Sequence, residues 1–240
     1  MNTQVQDRRA WLKLVGAASS GALLVGCGGG KEQPEEKKPG AGKTGEVEVA
    51  PTEDLMQEHG LLNRVLLVYD ESIRRLEANR ELKPELLTQA AGIIHHFIED
   101  YHEKQEEEDI FPRLEKAGKL TDLVATLRGQ HQAGRGVTEQ ILGLANLGAM
   151  KRAGDRQKLI AALRAFNRMY RPHETREDTI LFPEFRKLIT PGEYDALGDK
   201  FEAREHEIFG EDGFEKNVAG VGAIEKELGI YELAQFTPKG

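Results

Sequence analysis

Two stretches of this chain say nearly the same thing. HEKQEEEDIFPRLEK starts at His102, and HETREDTILFPEFRK starts at His173, 71 residues later. Each opens on a His, places a Glu four residues on, and reaches Phe-Pro at the same offset. Residues four apart share one face of a helix, so His102 and Glu106 point one way, as do His173 and Glu177. The repeat extends upstream, because His59 lies 43 residues before His102 and His131 lies 42 before His173. The chain is therefore read as two matching helical hairpins. Each supplies a lone His from its first helix and a His-x-x-x-Glu pair from its second.

The apolar spacing from Thr52 onward is helical, and strand alternation is hard to find. Thr52 is a candidate cap for a first helix carrying Leu55, Leu62, Leu66, Tyr69, Ile73 and Leu76 to about Asn79. A second helix runs from about Pro84 through the first repeat to Gly118, a third from a Thr121 cap to the Gly-containing stretch before Asp155, and a fourth from there to Leu188. Four long helices with short connections predict an all-α fold, an antiparallel up-and-down four-helix bundle over 51–189. Residues 190–240 are expected to add a fifth helix, opened by the capping box Thr190-Pro191-Gly192-Glu193 and closed at Gly210, then a short helix and irregular tail. Pro112 and Pro183 should bend or end their helices just past the repeat pairs, and Pro172 should kink the fourth helix beside His173.

Four imidazoles and two carboxylates would then converge on the bundle axis. Polar groups on the buried side of a bundle cost free energy unless something satisfies them. A carboxylate has two oxygens and can bridge two cations, which is how a dinuclear centre is built. Imidazole and carboxylate without thiolate suit iron, and accept manganese or zinc. His95 and Glu99 lie on the His102 face and would extend its polar stripe, whereas His96 is rotated away by about 100°. His206 is expected to be exposed on the fifth helix.

The motifs EHGLLNR, HEKQEEEDIFP, QHQAGR and HETREDTILFP, taken in this order and spacing, resemble the hemerythrin-like family, also called the HHE cation-binding domain. The resemblance covers about 52–190. It implies a non-haem di-iron site ligated by His59, His102, Glu106, His131, His173 and Glu177, with Glu106 and Glu177 as the bridges. Glu103 stands where many relatives have a second His and a few have an acid that binds iron, so it is either a further ligand or a polar neighbour. Glu174, its repeat mate, reads as a neighbour. One departure weighs against reversible oxygen carriage: oxygen-carrying members have two histidines one turn apart on the third helix, and this chain has Arg135 after His131.

The first 26 residues read as an export signal. Arg8-Arg9-Ala10-Trp11-Leu12-Lys13 resembles a twin-arginine motif, and Leu24-Val25-Gly26-Cys27 resembles a lipobox, which implies cleavage before Cys27 and lipidation of its sulfur. Cys27 is the single cysteine, so the domain has no disulfide and no thiolate ligand. Residues 27–50, rich in Gly, Pro, Glu and Lys, read as a disordered tether. The expected location is the cell envelope, anchored by lipid on the periplasmic face of a bacterial membrane, and Gly28 after the lipidated Cys leans towards the outer membrane. The net charge of −8, with no run of Lys and Arg free of Glu in the folded part, argues against nucleic acid as a partner. The expected function is binding or sensing of O2 or NO at two irons. The alternatives are a di-iron oxidase or peroxide-reducing enzyme, and an iron-handling module.

Overall fold

A computed structural model describes residues 49–238, and it is all helical, with no strand among the described residues. The expected signal segment, Cys27 and all but the end of the tether lie outside them. No helix of the described residues is long and apolar enough to cross a membrane.

Helix α1 (Pro51–Glu77) begins on an extended Ala50 with Pro51 in its first turn, where the missing N–H costs nothing. Glu53 and Asp54 at its start and Arg74 and Arg75 at its end complement the helix dipole. Thr52 is therefore not the cap. It lies one residue inside, and its hydroxyl bonds the Tyr194 hydroxyl instead. Helix α2 (84–116) is continuous but changes winding twice, to π geometry over Ile94–His102 and again over Glu106–Ile110. Helix α3 (Thr121–Leu144) follows a tight turn in which Gly118 and Leu120 have positive φ, 64° and 51°. Thr121 is already helical, so it does not cap either. A short α4 (Leu147–Lys151), capped by the Asn146 side chain, precedes α5 (153–185).

Helix α5 continues through Pro172 without a break and takes π geometry over Glu177–Leu181. Both repeats thus carry a five-residue π segment that starts at the repeat Glu and ends just before Phe-Pro. Proline offers no N–H and its ring crowds the carbonyl four residues back, and a widened turn absorbs that conflict without ending the helix. Helix α6 (Pro191–Phe209) has the expected capping box, with Thr190 and Glu193 bonded reciprocally, and closes on Gly210.

The end of the chain is more ordered than expected. Instead of a short helix and irregular tail, a 16-residue helix α7 (Gly213–Leu228) packs on α1 and α2, followed by a 3-10 turn at Leu233–Phe236. Its glycines are sites of close approach. Gly222 faces Arg64 Nη2, which a Cβ would meet at 3.2 Å, and Arg64 forms a forked pair with the buried Glu225 one turn on.

Each of α1, α2, α3 and α5 packs against two of the others. Their apolar faces form two separate clusters. One holds Leu62, Leu66, Ile98, Tyr101, Ile141, Phe166 and Tyr170, and the other Leu55, Ile110, Phe111, Leu127, Leu181 and Phe182. Each helix passes from one cluster to the other, and the repeat histidines and glutamates fall at the crossing.

Candidate metal centre

His59, His102, Glu106, His131, His173 and Glu177 are each at most 3% exposed. They form a buried polar layer between the two apolar clusters, a costly arrangement unless every donor and acceptor finds a partner. On their outer side the histidines do. Nδ1 of His59 lies 2.7 Å from Asp178 Oδ1, that of His102 2.7 Å from Glu58 Oε2, that of His131 3.1 Å from Glu107 Oε1, and that of His173 2.8 Å from Gln130 Oε1. Ionised carboxylates and an amide oxygen only accept, so each Nδ1 carries the proton and donates. The tautomer of the neutral rings is thereby set, and in that form the four Nε2 atoms are left as lone pairs for a cation.

Those lone pairs point at one another and at the glutamates. His131 Nε2 is 3.2 Å from His173 Nε2. Glu106 Oε2 is 3.5 Å from His131 Nε2 and 3.8 Å from His102 Nε2, and Glu177 Oε2 is 3.2 Å from His173 Nε2 and 3.5 Å from His59 Nε2. Neither oxygen of Glu106 or Glu177 has a hydrogen-bond partner. Acceptors that converge in a dry interior without a donor repel, and cations between them turn that repulsion into ligation. The donor set fits this. Glu106, His131, His173 and Glu177 present atoms within 4.8 Å of one another, as do His59, His102 and Glu106, and Glu106 belongs to both groups.

Protonation follows the same geometry. Burial and then the nearby Glu177 push the Glu106 carboxyl well above its ordinary range. Burial opposes charge on Glu177 too, but His173 and His59 outweigh it and hold its carboxyl low. Burial opposes a charged His59, yet Asp178 and Glu177 carry its imidazole well above the usual value. Burial keeps His102 and His131 low, His131 at about 4. Without metal the centre thus holds its protons on Glu106 and His59 and leaves Glu177, His102 and His131 without the extra one.

Glu103 stands apart. It shares a group with Glu107 and His131 but with neither Glu106 nor Glu177. Tyr170 Oη donates to its Oε1 at 2.7 Å, and Arg135 Nη2 lies 2.7 Å from its Oε2 and 2.7 Å from Glu107. Burial pushes its carboxyl up to about 8, against the pull of Tyr170 and Arg135. Glu174 is buried, pushed by that burial to about 7, and belongs to none of the groups. His206 is exposed, as expected. His96 is more exposed than His95, and their ring centroids are 4.7 Å apart.

The sequence reading missed Glu58, Glu107, Gln130 and Asp178, the outer partners. Their signal was present: Glu58-His59 matches Gln130-His131, and Glu106-Glu107 matches Glu177-Asp178. The lone histidine of each half is held by the other half, and the paired histidine by its own.

The sequence profile of the hemerythrin HHE cation binding domain matches residues 50–151, which include His59, His102, Glu106 and His131. The chain belongs to the hemerythrin HHE family. Three relatives, the uncharacterized proteins Mb2018 of Mycobacterium bovis and MT2051 and Rv1995 of Mycobacterium tuberculosis, are each 44% identical over 231 residues, covering 96% of this chain and 91% of the relative. No solved structure was found to match the chain. Membership agrees with the geometry: this HHE protein binds cations, iron being the metal typical of the family, and its buried His and Glu clusters could hold them.

Proposed function

We propose that this HHE protein holds two iron ions and uses them to bind or sense O2 or NO at the cell envelope. The observation that carries the reading is the set of four inward Nε2 lone pairs, each fixed by an outer Nδ1 acceptor, around two glutamates without donors. His131, His173, Glu106 and Glu177 would hold one cation, and His59, His102 and Glu106 the other. Manganese and zinc are the alternatives to iron for the same atoms.

Two ferrous ions in such a site supply one-electron redox chemistry and positions at which a diatomic molecule binds. The chain does the rest. The outer acceptors lock the imidazole rings and raise their basicity. The apolar clusters on either side keep water out, and ligand side chains at most 3% exposed favour a ligand no larger than a diatomic. Arg135 on α3 neutralises Glu103 and Glu107 rather than supplying another imidazole, which favours sensing over reversible carriage.

The supporting frame is an antiparallel up-and-down arrangement of four helices over 51–189, on which α6 and α7 pack. It rests on the order in which each helix meets the apolar clusters. Helix α1 passes from Leu55 to Leu62, α2 returns from Ile98 to Ile110, α3 repeats the first direction from Leu127 to Ile141, and α5 the second from Tyr170 to Leu181. Envelope location rests on the Arg8-Arg9 and Leu24–Cys27 motifs. A twin-arginine route carries folded proteins, so iron can be inserted before the site meets competing metals outside.

A second reading, an oxidase or peroxide-reducing enzyme, draws on the Tyr170–Glu103–Arg135 network, which brings a carboxyl next to His131 and a phenol next to His173. An iron-handling role is the third. The deciding experiment is anaerobic purification, metal analysis and the near-ultraviolet spectrum before and after air or NO. About two irons per chain with bands that reverse on removing the gas support binding or sensing. Oxygen consumption with a reductant moves the reading to an enzyme, irreversible oxidation without turnover moves it to iron handling, and absence of iron overturns it. Membrane fractionation of Cys27→Ala against the parent chain tests the anchor.

A further inference from the structure

We propose a second metal site, separate from the buried centre, on the surface of α2: His95, His96 and Asp100 form a site for one imidazole-preferring divalent cation of the zinc or copper(II) class. The three side chains present atoms within 4.8 Å of one another. Both His95 Nε2 and His96 Nδ1 lie 3.8 Å from Asp100 Oδ2. Side-chain exposures of 41%, 69% and 56% leave the remaining coordination positions to water.

The winding of α2 makes this cluster. On an ordinary α-helix, residues five apart diverge by about 140°, so His95 and Asp100 would not meet. Over Ile94–His102 the helix is π, and its i→i+5 hydrogen bonds place Asp100 over His95. The wider turn also narrows the angle between adjacent residues, which brings His96 beside His95 with its ring tilted at 55°.

The second observation is a buried partner that aims the ligand. Glu99 is 1% exposed, and its Oε2 accepts from His95 Nδ1 at 3.2 Å, while its Oε1 has no hydrogen-bond partner. That bond places the proton of His95 on Nδ1 and turns a bare Nε2 outward to Asp100. It is the device that orients all four histidines of the buried centre, used here on the surface. Two imidazoles and one carboxylate select zinc or copper(II) over magnesium or calcium, which take oxygen donors.

The test is titration of the iron-loaded full chain with zinc, followed by calorimetry and by iron and zinc analysis of the desalted protein. One zinc per chain beyond the iron is expected, with iron content unchanged. The double variant His95→Ala/His96→Ala should lose that zinc and keep its iron and its melting temperature. Asp100→Asn should weaken it at least about tenfold and Glu99→Gln by about tenfold. No additional zinc, zinc taken up only as iron leaves, or undiminished zinc binding by the double variant would each overturn the site.

Discussion

Gly134, on α3 opposite Tyr170, sets two rules against each other. Replacing a glycine inside a helix by alanine ordinarily stabilises the helix by about 1 kcal/mol. A Cβ at Gly134 would meet Tyr170 Oη at 2.1 Å, Cζ at 2.9 Å and Cε2 at 3.0 Å. The first is far inside contact distance, and Tyr170 is itself buried, with its ring stacked on Phe166 at 4.3 Å. The phenol must swing away, which breaks its 2.7 Å bond to the buried Glu103. Overpacking of this kind costs about 1–3 kcal/mol, and stranding a buried acceptor about 1–3 kcal/mol more. After the helix gain is deducted, Gly134→Ala should destabilise by about 1–5 kcal/mol, a fall of about 2–20 °C in Tm.

Gly136, two residues on, is the control, since a Cβ there meets nothing within 4 Å. Gly136→Ala should stabilise by about 0.5–1 kcal/mol. Urea denaturation followed by far-ultraviolet circular dichroism, on metal-free and iron-loaded protein, measures both. In a Tyr170→Phe background, which removes Oη, the cost of Gly134→Ala should shrink. If Gly134→Ala is as stable as the parent, or gains like Gly136→Ala, the close approach of α3 to Tyr170 is wrong, and with it the placement of Glu103.

Further outcomes follow from the same geometry. His102→Ala and His173→Ala should each lower iron content and thermal stability together. A ligand at a hundred times its Kd contributes about 2.7 kcal/mol, and melting of loaded against metal-free protein reads the loss; His206→Ala should change neither. Glu58→Ala should weaken iron binding by about 10–100-fold with the fold intact, measured by chelator competition. The metal-free protein should feel Glu103 as a pH effect. Its folded carboxyl stands at about 8, above the ordinary 4.5, so the folded state binds the extra proton, and this contribution falls as pH rises from about 4.5 to about 8. Glu103→Gln should flatten that slope in denaturation series, and an unchanged slope would assign it to other groups.

What could be read from the sequence was local or periodic. The repeat pairs at His102 and His173 share a face because of spacing alone, and Thr190 to Glu193 form a capping box because every partner lies within four residues. Thr52 and Thr121 have the right chemistry for caps, but Pro51 and the left-handed Leu120 decided where those helices begin. The π segments could not be foreseen from periodicity, since Phe111-Pro112 and Phe182-Pro183 announce a disturbance without saying that the helix survives it. That His95 meets Asp100 was hidden because 3.6 residues per turn does not hold through Ile94–His102. Helix α7 was hidden by Gly213, Gly220 and Gly222, which look like breakers until the packing on Arg64, Ile93 and Glu205 is seen. The outer acceptors escaped for a related reason: two of the four bonds cross between halves, and nothing in the spacing along one helix reports a partner on another.

The outer partners also break the symmetry of the duplication at one place. Glu58 backs His102 with a carboxylate, whereas its counterpart behind His173 is the neutral Gln130. His59 and His102 are thus both backed by acids, and of His131 and His173 only the first is. Carboxylate-backed imidazoles are the stronger electron donors. Two metals held in such a pair of near-identical half-sites would meet unequal imidazole donors, two carboxylate-backed rings on one side and one on the other. A single amide-for-acid exchange thus gives two matching halves an unequal pair of pockets.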